Sequence, residues 1–227
     1  MKRSNAFSIL FTIVAFTFLA AVNTPAQTTS EEELPKFEVG IHFTSITKPS
    51  FDNGSTEPGI GGRFTFNLNR SVALEAVGNF FPHSCSFCGG NLGDNSGIIK
   101  QGLFGVKAGK RFEKWGIFAK ARPGVVTFGQ GETIYTINGT GPSASVHVVR
   151  TGASHFATDL GGILEFYATK HLVTRLEGGD TLIHYGSRQT NFLSFDQTTF
   201  APTLVPFTTR SETRHNFQFS AGVGWRF

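Results

Sequence analysis

The last stretch of the sequence alternates strictly between apolar and polar side chains. Between residues 216 and 226 the even positions carry polar residues or glycine. The odd positions carry apolar residues, namely Phe217, Phe219, Ala221, Val223, Trp225 and Phe227. Because successive side chains of a β-strand point to opposite faces, this period of two predicts a strand with one apolar and one polar face.

Seven earlier segments show the same alternation. They span residues 37–44, 60–68, 72–80, 104–112, 115–125, 156–167 and 172–180. Long connections alternate along the chain with tight turns at 69–70, 113–114 and 169–170. Eight strands joined in this way are typical of a membrane barrel, which has short turns on one side of the membrane and long loops on the other. We therefore predict an all-β fold, an eight-stranded antiparallel up-and-down transmembrane β-barrel.

The polar faces of these strands carry charges of both signs. A soluble barrel such as a lipocalin, the main alternative fold, would bury its apolar face and show these charges to water. So many ionic groups instead suit the polar interior of a small membrane barrel, where carboxylates pair with cations. The predicted interior charge network comprises Glu38, Arg63, Glu75, Lys107, Arg111, Lys120, Arg122, Asp159, Glu165, Arg175, Glu177 and Arg226. Within it, the candidate partners of Arg226 on the last strand are Glu38 of the first strand, its neighbour once the barrel closes, and the inward carboxylates beyond it.

Two further charges need their own interpretation. Lys110 falls on the outward face, but it is close to a tight turn, from which its long side chain can reach the membrane interface. Gly178-Gly179 interrupts the alternation of the seventh strand. A bulge at these glycines would turn Asp180 inward, and we expect Asp180 to lie inside the barrel.

Aromatic residues of the outward parity collect at the ends of strands next to the short turns. Such a belt is expected where a membrane barrel meets the lipid headgroups. The predicted aromatic girdle consists of Phe37, Phe66, Phe112, Trp115, Phe166, Trp225 and Phe227.

In this architecture, and in a last strand that ends on Trp225 and Phe227, the chain resembles the OmpA-like eight-stranded outer-membrane β-barrel family of Gram-negative bacteria. The resemblance implies that the aromatic last strand is the assembly signal read by the barrel-assembly machinery. It also implies outer-membrane lipid and lipopolysaccharide as surroundings and a monomeric barrel. Members of such families serve as envelope anchors, adhesins, narrow channels or lipid-modifying enzymes, so the resemblance alone does not select a function.

The beginning of the sequence has the features of an export signal. Lys2 and Arg3 precede an uncharged apolar run over residues 6–22, which is short for a membrane span, and small residues follow it. We expect a cleaved signal peptide over 1–26, a flexible leader over 27–35 and the barrel domain over 36–227. An uncleaved N-terminal anchor is the alternative.

The formal net charge of +4 falls by two when the signal is removed, so charge gives no reason to expect nucleic acid as a partner.

The only two cysteines, Cys85 and Cys88, lie in a long loop with His83 nearby. A zinc site needs about four ligands, and the sequence offers no second pair. A redox dithiol would need a thioredoxin-like context, which is also missing. In an exported chain the pair is expected to form a local disulfide. We therefore predict neither a metal nor a cofactor.

An enzymatic function is considered because some outer-membrane lipid A deacylases are eight-stranded barrels with a lipid-facing Ser/His pair. His184 and Ser187 lie near the outer end of the seventh strand, and Glu212 is a conceivable third group. Their spacing differs from the expected deacylase pattern, so an ordinary interfacial histidine is the favoured interpretation and no catalytic residue is predicted.

The two longest loops, 129–154 and 187–213, are rich in apolar residues. Either their strands continue above the membrane and pack together, or they form an adhesive surface for a partner. The Asn138-Gly139 pair favours a hairpin turn in the first of them. The predicted function is structural or surface-interacting and non-enzymatic. The alternatives are a narrow porin-like channel and, after it, a lipid A-modifying enzyme.

Overall fold

The computed structural model describes residues 35–47, 56–82 and 98–227, without the side chains of residues 130 and 131. Its strands are β1 (Phe37–Thr47), β2 (Thr56–Asn67), β3 (Val72–Phe81), β4 (Ile99–Arg111), β5 (Trp115–Asn138), β6 (Ser145–Tyr167), β7 (Leu172–Tyr185), β8 (Arg188–Phe195), β9 (Pro202–Thr209) and β10 (Glu212–Arg226). No helix in the described ranges is long and apolar enough to cross a membrane.

Eight of the ten strands form a closed antiparallel barrel in the order β1-β10-β7-β6-β5-β4-β3-β2. Neighbours along the chain are neighbours in the barrel, apart from the β8-β9 hairpin, which is a separate two-stranded sheet between β7 and β10. The predicted eight-stranded up-and-down barrel is therefore confirmed. The first and last strands close it, since Phe37 and Phe227 exchange backbone hydrogen bonds that are both 3.0 Å long.

The short turns are stabilised by their own side chains. Asn69 Oδ1 accepts backbone hydrogen bonds of 2.8 Å from both Ser71 and Val72. Thr169 Oγ1 does the same for His171 and Leu172 at the equivalent turn between β6 and β7. Asn and Thr favour turns because their short side chains can replace a backbone partner in this way. Both turns lie at the barrel end that also carries Phe37 and Phe227, as the alternation of loop lengths predicted.

The two longest loops contain regular strands. β5 and β6 run on far beyond the other strands as a hairpin, which reverses at Gly139, whose φ of 95° is a conformation that glycine adopts readily. The interpretation that barrel strands continue into the long loops is thus correct for 129–154, whereas 187–213 forms the separate β8-β9 sheet. Packing does not bury all the apolar side chains there, since Ile134, Val149 and Phe192 are each about half exposed.

The barrel exposes apolar side chains and buries charged ones. On its outer wall Ile41 is 69% exposed and Phe43 is 74% exposed, whereas Glu75 and Arg175 inside are each 1% exposed. A protein surrounded by water would gain free energy from the opposite arrangement. The outer surface of this barrel is therefore suited to an apolar surrounding.

The expected bulge in β7 is absent, and Asp180 does not lie inside. β7 pairs in unbroken register with β10 through Gly178, Gly179 and Asp180. The continuous register places Asp180 on the outer wall, opposite Phe217, while the next residue, Thr181, is fully buried. The carboxylate is satisfied there by the backbone N–H of Asn216 at 2.9 Å and by a histidine described below. The glycines thus continue the strand instead of shifting its side chains to the other face.

The predicted signal peptide, nearly all of the leader, and His83, Cys85 and Cys88 lie outside the described residues. The cleavage site and the disulfide therefore stay predictions.

Candidate functional site: the filled barrel interior

Three layers of side chains fill the barrel from the short-turn end to the long-loop end. The lowest layer is ionic, the middle layer consists of amides and hydroxyl groups, and the upper layer is apolar. Each layer takes side chains from several strands around the barrel, so the layers result from closure of the sheet and not from any single segment.

All twelve residues of the predicted charge network lie in the ionic layer or at its lower edge. Eleven are buried, and the side chain of Arg111 is 9% exposed. The centre of the layer balances four carboxylates against four cations, namely Glu75, Asp159, Glu165, Glu177, Lys107, Lys120, Arg122 and Arg175. Because an unpaired buried charge is costly, this balance is what permits so many ionic groups in one interior.

Glu75 on β3 is the most heavily paired carboxylate. Arg175, on the far side of the barrel, donates to both of its oxygens at 2.5 and 2.8 Å. Arg122 approaches the same carboxylate at 3.3 Å, and Lys107 lies 3.6 Å away. A bidentate arginine pair is both strong and directional, so it fixes β3 relative to β7 across the lumen.

A second group of ion pairs joins β5, β6 and β7. Lys120 lies 2.9 Å from Asp159 and 3.0 Å from Glu177. Arg122 contacts the same two carboxylates at 2.5 and 2.6 Å. Because each cation bridges two strands, the contacts reinforce the strand order of the closed sheet.

A third pair, Arg63 and Glu38, occupies space left by glycines. The guanidinium of Arg63 lies 2.9 Å from the Glu38 carboxylate, and both side chains are almost fully buried. A Cβ added at Gly40 would lie 2.9 Å from the Arg63 guanidinium carbon, and one at Gly224 would lie 2.9 Å from its Nη2. Any larger residue at these two positions would displace the ion pair.

Arg226 does not pair with Glu38 as expected. Although the two residues are opposite each other on β10 and β1, Glu38 accepts its hydrogen bonds from Arg63. The Arg226 guanidinium instead donates to the carbonyl of Thr169 at 3.0 Å and lies 4.3 Å from the ring centre of Tyr167. Arg226 thus ties the last strand to the β6-β7 turn.

The middle layer is a hydrogen-bonded row that crosses the lumen. His42 Nε2 donates to Asn79 Oδ1 at 2.7 Å, and the Asn79 amide donates to Gln101. Gln101 and Gln218 exchange hydrogen bonds of 3.2 Å in both directions. Gln218 also accepts from Thr181 at 2.7 Å. The sequence placed His42, Asn79 and Gln218 on polar strand faces. Gln101 and Thr181 lie outside the predicted strand segments, and the sequence did not show that any of these groups meet.

The upper layer is apolar and closes the interior below the long loops. It consists of Ile46, Phe81, Ile99, Val126, Ala157 and Ile183, each at most 3% exposed. Sequence reasoning missed this layer because five of its six residues lie beyond the ends of the predicted strand segments, Ala157 being the exception. A signal was present, since Phe80-Phe81, Val125-Val126 and Leu182-Ile183 are apolar doublets that place one apolar residue on each face.

The residues of the predicted girdle lie on the outer wall at the short-turn end. Phe37 contacts Phe66 and Phe227 at ring distances of 5.2 and 6.0 Å. Phe112 stacks on Trp115 at 4.2 Å on another part of the circumference. The remaining members, Phe166 and Trp225, are 43% and 55% exposed.

Lys110 is exposed near the same end, with its ammonium 5.3 Å from the ring of Phe112.

Two of the three residues considered for catalysis have other partners, and the third, Ser187, is exposed. His184 Nδ1 lies 3.1 Å from the hydroxyl group of Thr213, and Glu212 accepts hydrogen bonds from Arg214. Near them on the outer wall, His215 Nδ1 donates to Asp180 Oδ2 at 2.5 Å. The described residues contain no group of three or more His, Cys, Asp or Glu side chains suited to a metal ion.

Solved structures with a similar fold share little sequence with this chain. Neisserial surface protein A is 10% identical, with a TM-score of 0.46 over 85% of this chain and 97% of that one. Ail, the attachment invasion locus protein of Yersinia pestis, is 11% identical, with a TM-score of 0.40 over 84% and 96%. The N-terminal β-barrel domain of Pseudomonas aeruginosa OprF is 12% identical, with a TM-score of 0.39 over 86% and 100%. At these values the likenesses assign no function. No protein-family model and no curated protein sequence matches the chain.

Proposed function

We propose that this chain is an integral outer-membrane protein whose barrel is a non-conducting anchor for its outer hairpins, with a structural or surface-interacting role and no enzymatic activity. The observation that carries the proposal is the filled interior, in which an ionic layer, an amide layer and an apolar layer succeed one another. The long-loop end, with the β5-β6 and β8-β9 hairpins, is then the surface available for contacts.

The membrane location is supported by the inverted distribution of side chains. Most of the outer wall is apolar, and twelve ionic groups are inside the barrel or at the lower edge of its ionic layer. Arg or Lys on the lipid face near the middle of a bilayer costs about 2–4 kcal/mol, and the outward Lys110 lies instead at the girdle end. The predicted export signal and aromatic last strand fit the outer membrane, with lipopolysaccharide as surrounding lipid and the barrel-assembly machinery as a transient partner.

The structural role is favoured over a channel because the polar groups inside are paired with each other. In an eight-stranded barrel the interior is only just wide enough for its own side chains. Ions would have to cross the apolar layer, in which Phe81 and Val126 are fully buried. A conducting path would therefore require several of these side chains to move together.

An ion-flux assay tests the proposal directly. The protein is reconstituted into vesicles that contain a potassium-sensitive dye, and correct insertion is checked by a change of gel migration on boiling. We expect potassium release no faster than from vesicles with a boiled sample. Release that rises with the amount of folded protein would overturn the proposal in favour of the channel.

The enzymatic alternative has one specific observation in its favour, the Asp180–His215 pair on the outer wall. A carboxylate bound to Nδ1 leaves Nε2 available as a general base. The mass of lipid A from cells that produce the protein would be measured by mass spectrometry. We expect an unchanged mass; a loss of acyl chains that His215→Ala or His184→Ala abolishes would establish the enzyme.

A further inference from the structure

We infer that the outer mouth of the barrel is a binding site for an acidic sugar, a saccharide ring that carries a carboxylate. The site lies above the apolar layer, between the β5-β6 hairpin, the end of β7 and the β8-β9 hairpin. It is a cavity of about 520 Å³. Ligand pockets commonly have volumes of roughly 300–1,000 Å³, so this one has room for roughly one or two sugar rings.

The floor of this mouth site is aromatic. Phe128 and Tyr185 pack on the apolar layer, with 6.3 Å between their ring centres. The ring of His155 lies 4.5 Å from that of Tyr185. All three rings line the cavity. Aromatic rings of this kind can pack against the C–H face of a sugar ring. That face is apolar, while the hydroxyl groups project from the edges of the sugar.

The walls of the cavity supply polar groups. Glu132 on β5 and Glu212 on β10 can accept hydrogen bonds from hydroxyl groups, while Asn191 on β8 can both donate and accept. Glu132 is held by Arg188 at 3.6 Å, and this contact links the β8-β9 hairpin to β5. The cavity wall is therefore formed jointly by the barrel and the hairpin, and most of its groups come from segments that are distant in sequence.

The preference for an acidic sugar rests on the charges of the lining. Arg188 and Glu132 form a pair, and Glu212 is bound by Arg214, whose guanidinium also lies 5.7 Å from the ring of Tyr185. Arg210 lines the same cavity and has no ion pair with a described residue. The planar guanidinium of Arg210 can donate two parallel hydrogen bonds to the two oxygens of a carboxylate. A sugar that carries a carboxylate would therefore gain a specific partner at this position.

The inference rests on the proposed function only in that the mouth must face the outside medium. Two matched probes test it: methyl β-D-glucuronide and methyl β-D-glucoside, which differ by the carboxylate. Each is titrated against the folded full-length protein in nanodiscs and followed by saturation-transfer NMR. For the unaltered protein we expect transfer to the ring protons of both sugars, with the glucuronide bound roughly tenfold more tightly.

Three variants assign the result to residues. Arg210→Gln should remove the preference for the glucuronide and keep the binding of the glucoside. Tyr185→Ala should lose both sugars, whereas Tyr185→Phe, which keeps the ring, should bind both. Arg70→Gln at the opposite end of the barrel is the control and should leave both affinities unchanged. Gel migration with and without boiling shows that each variant is folded.

The inference is overturned if the unaltered protein binds neither sugar, binds both equally, or keeps its preference in Arg210→Gln. None of these results depends on ion flux, so a non-conducting barrel without a sugar site remains distinguishable from a failure of the anchor proposal itself.

Discussion

Gln101 and Gln218 exchange two hydrogen bonds of 3.2 Å across the middle of the barrel. Their strands, β4 and β10, are four positions apart in either direction around the closed sheet, so the two side chains reach each other from opposite walls. Direct contact between opposite walls narrows the lumen at that level. This relationship links the order of the strands to the proposed lack of conduction.

The ionic layer predicts a strong effect of removing one carboxylate. Glu75→Gln leaves Arg175, Arg122 and Lys107 without their shared partner in a buried site. Breaking a buried ion pair costs about 3–5 kcal/mol, and we expect a loss of that size in the free energy of unfolding. Urea unfolding in lipid vesicles measures it. Glu113→Gln, at an exposed turn, is the matched control and should change stability by less than about 0.5 kcal/mol. Equal effects of the two substitutions would refute the structural role of the network.

The positions of the glycines predict that Gly61→Ala, inside the barrel, destabilises it more than Gly78→Ala on the outer wall. A Cβ at Gly61 would lie 2.1 Å from Asn79 Oδ1 and 2.4 Å from His42 Nε2, so it would break the first bond of the amide row. We expect Gly61→Ala to destabilise the barrel by about 1–3 kcal/mol. At Gly78, on the outer wall, an added Cβ would meet nothing within 4 Å. If Gly78→Ala proved as damaging as Gly61→Ala in the same unfolding assay, the assigned faces of β2 and β3 would be wrong.

The outward position of Asp180 is testable by chemical labelling. Asp180→Cys and Thr181→Cys are compared in a background in which Cys85 and Cys88 are replaced by serine. A fluorescent label should attach at position 180 and be quenched by brominated lipid. Position 181, fully buried inside, should stay unlabelled in the folded protein. Labelling at position 181 and not at position 180 would show that the predicted bulge is present.

The tip of the β8-β9 hairpin predicts a specific titration. The backbone and side chain of Thr199 donate to Asp196 Oδ1 at 2.7 and 2.9 Å, and these bonds lower the pKa of the exposed carboxyl. Because the folded pKa lies below the unfolded value of about 3.9, the stabilisation is fully present above that value. It is lost as the pH falls through the folded pKa. NMR titration of the Asp196 carboxyl carbon checks this; a midpoint near 3.9 would show that the turn does not form these bonds.

The barrel was predictable from sequence because its main determinant is local. An apolar outer wall and polar side chains inside impose a period of two on every strand, and that period is visible without knowing any partner. The strand count followed for the same reason, since tight turns such as the one at Asn69 have their own residue preferences.

The contacts inside the barrel were not predictable in the same way. Whether Glu38 meets Arg63 or Arg226 depends on the space left by Gly40 and Gly224, which belong to two different strands. The outward position of Asp180 likewise depends on hydrogen bonds from β10 that no local pattern encodes. Both expectations failed because the deciding partner is distant in sequence.

The apolar layer shows a different limit. Adjacent apolar residues such as Phe80 and Phe81 interrupt the alternation, and in a sequence they are easily attributed to a strand end. The closed sheet shows that the second residue of the doublet points inward, where Phe81 packs with Ile46 and Ile99. Counting inward apolar positions at the long-loop end would have revealed that the interior is closed.

Recording in a planar lipid bilayer is the most direct test of the central claim that the barrel does not conduct. Folded protein should add no discrete current steps, because opposite walls meet at Gln101 and Gln218 and the apolar layer lies above them. A variant that combines Phe81→Ala, Gln101→Ala and Gln218→Ala removes these contacts and should acquire steps, which shows that insertion can be detected. Discrete steps from the unaltered protein, in numbers that rise with the folded protein added, would contradict the account.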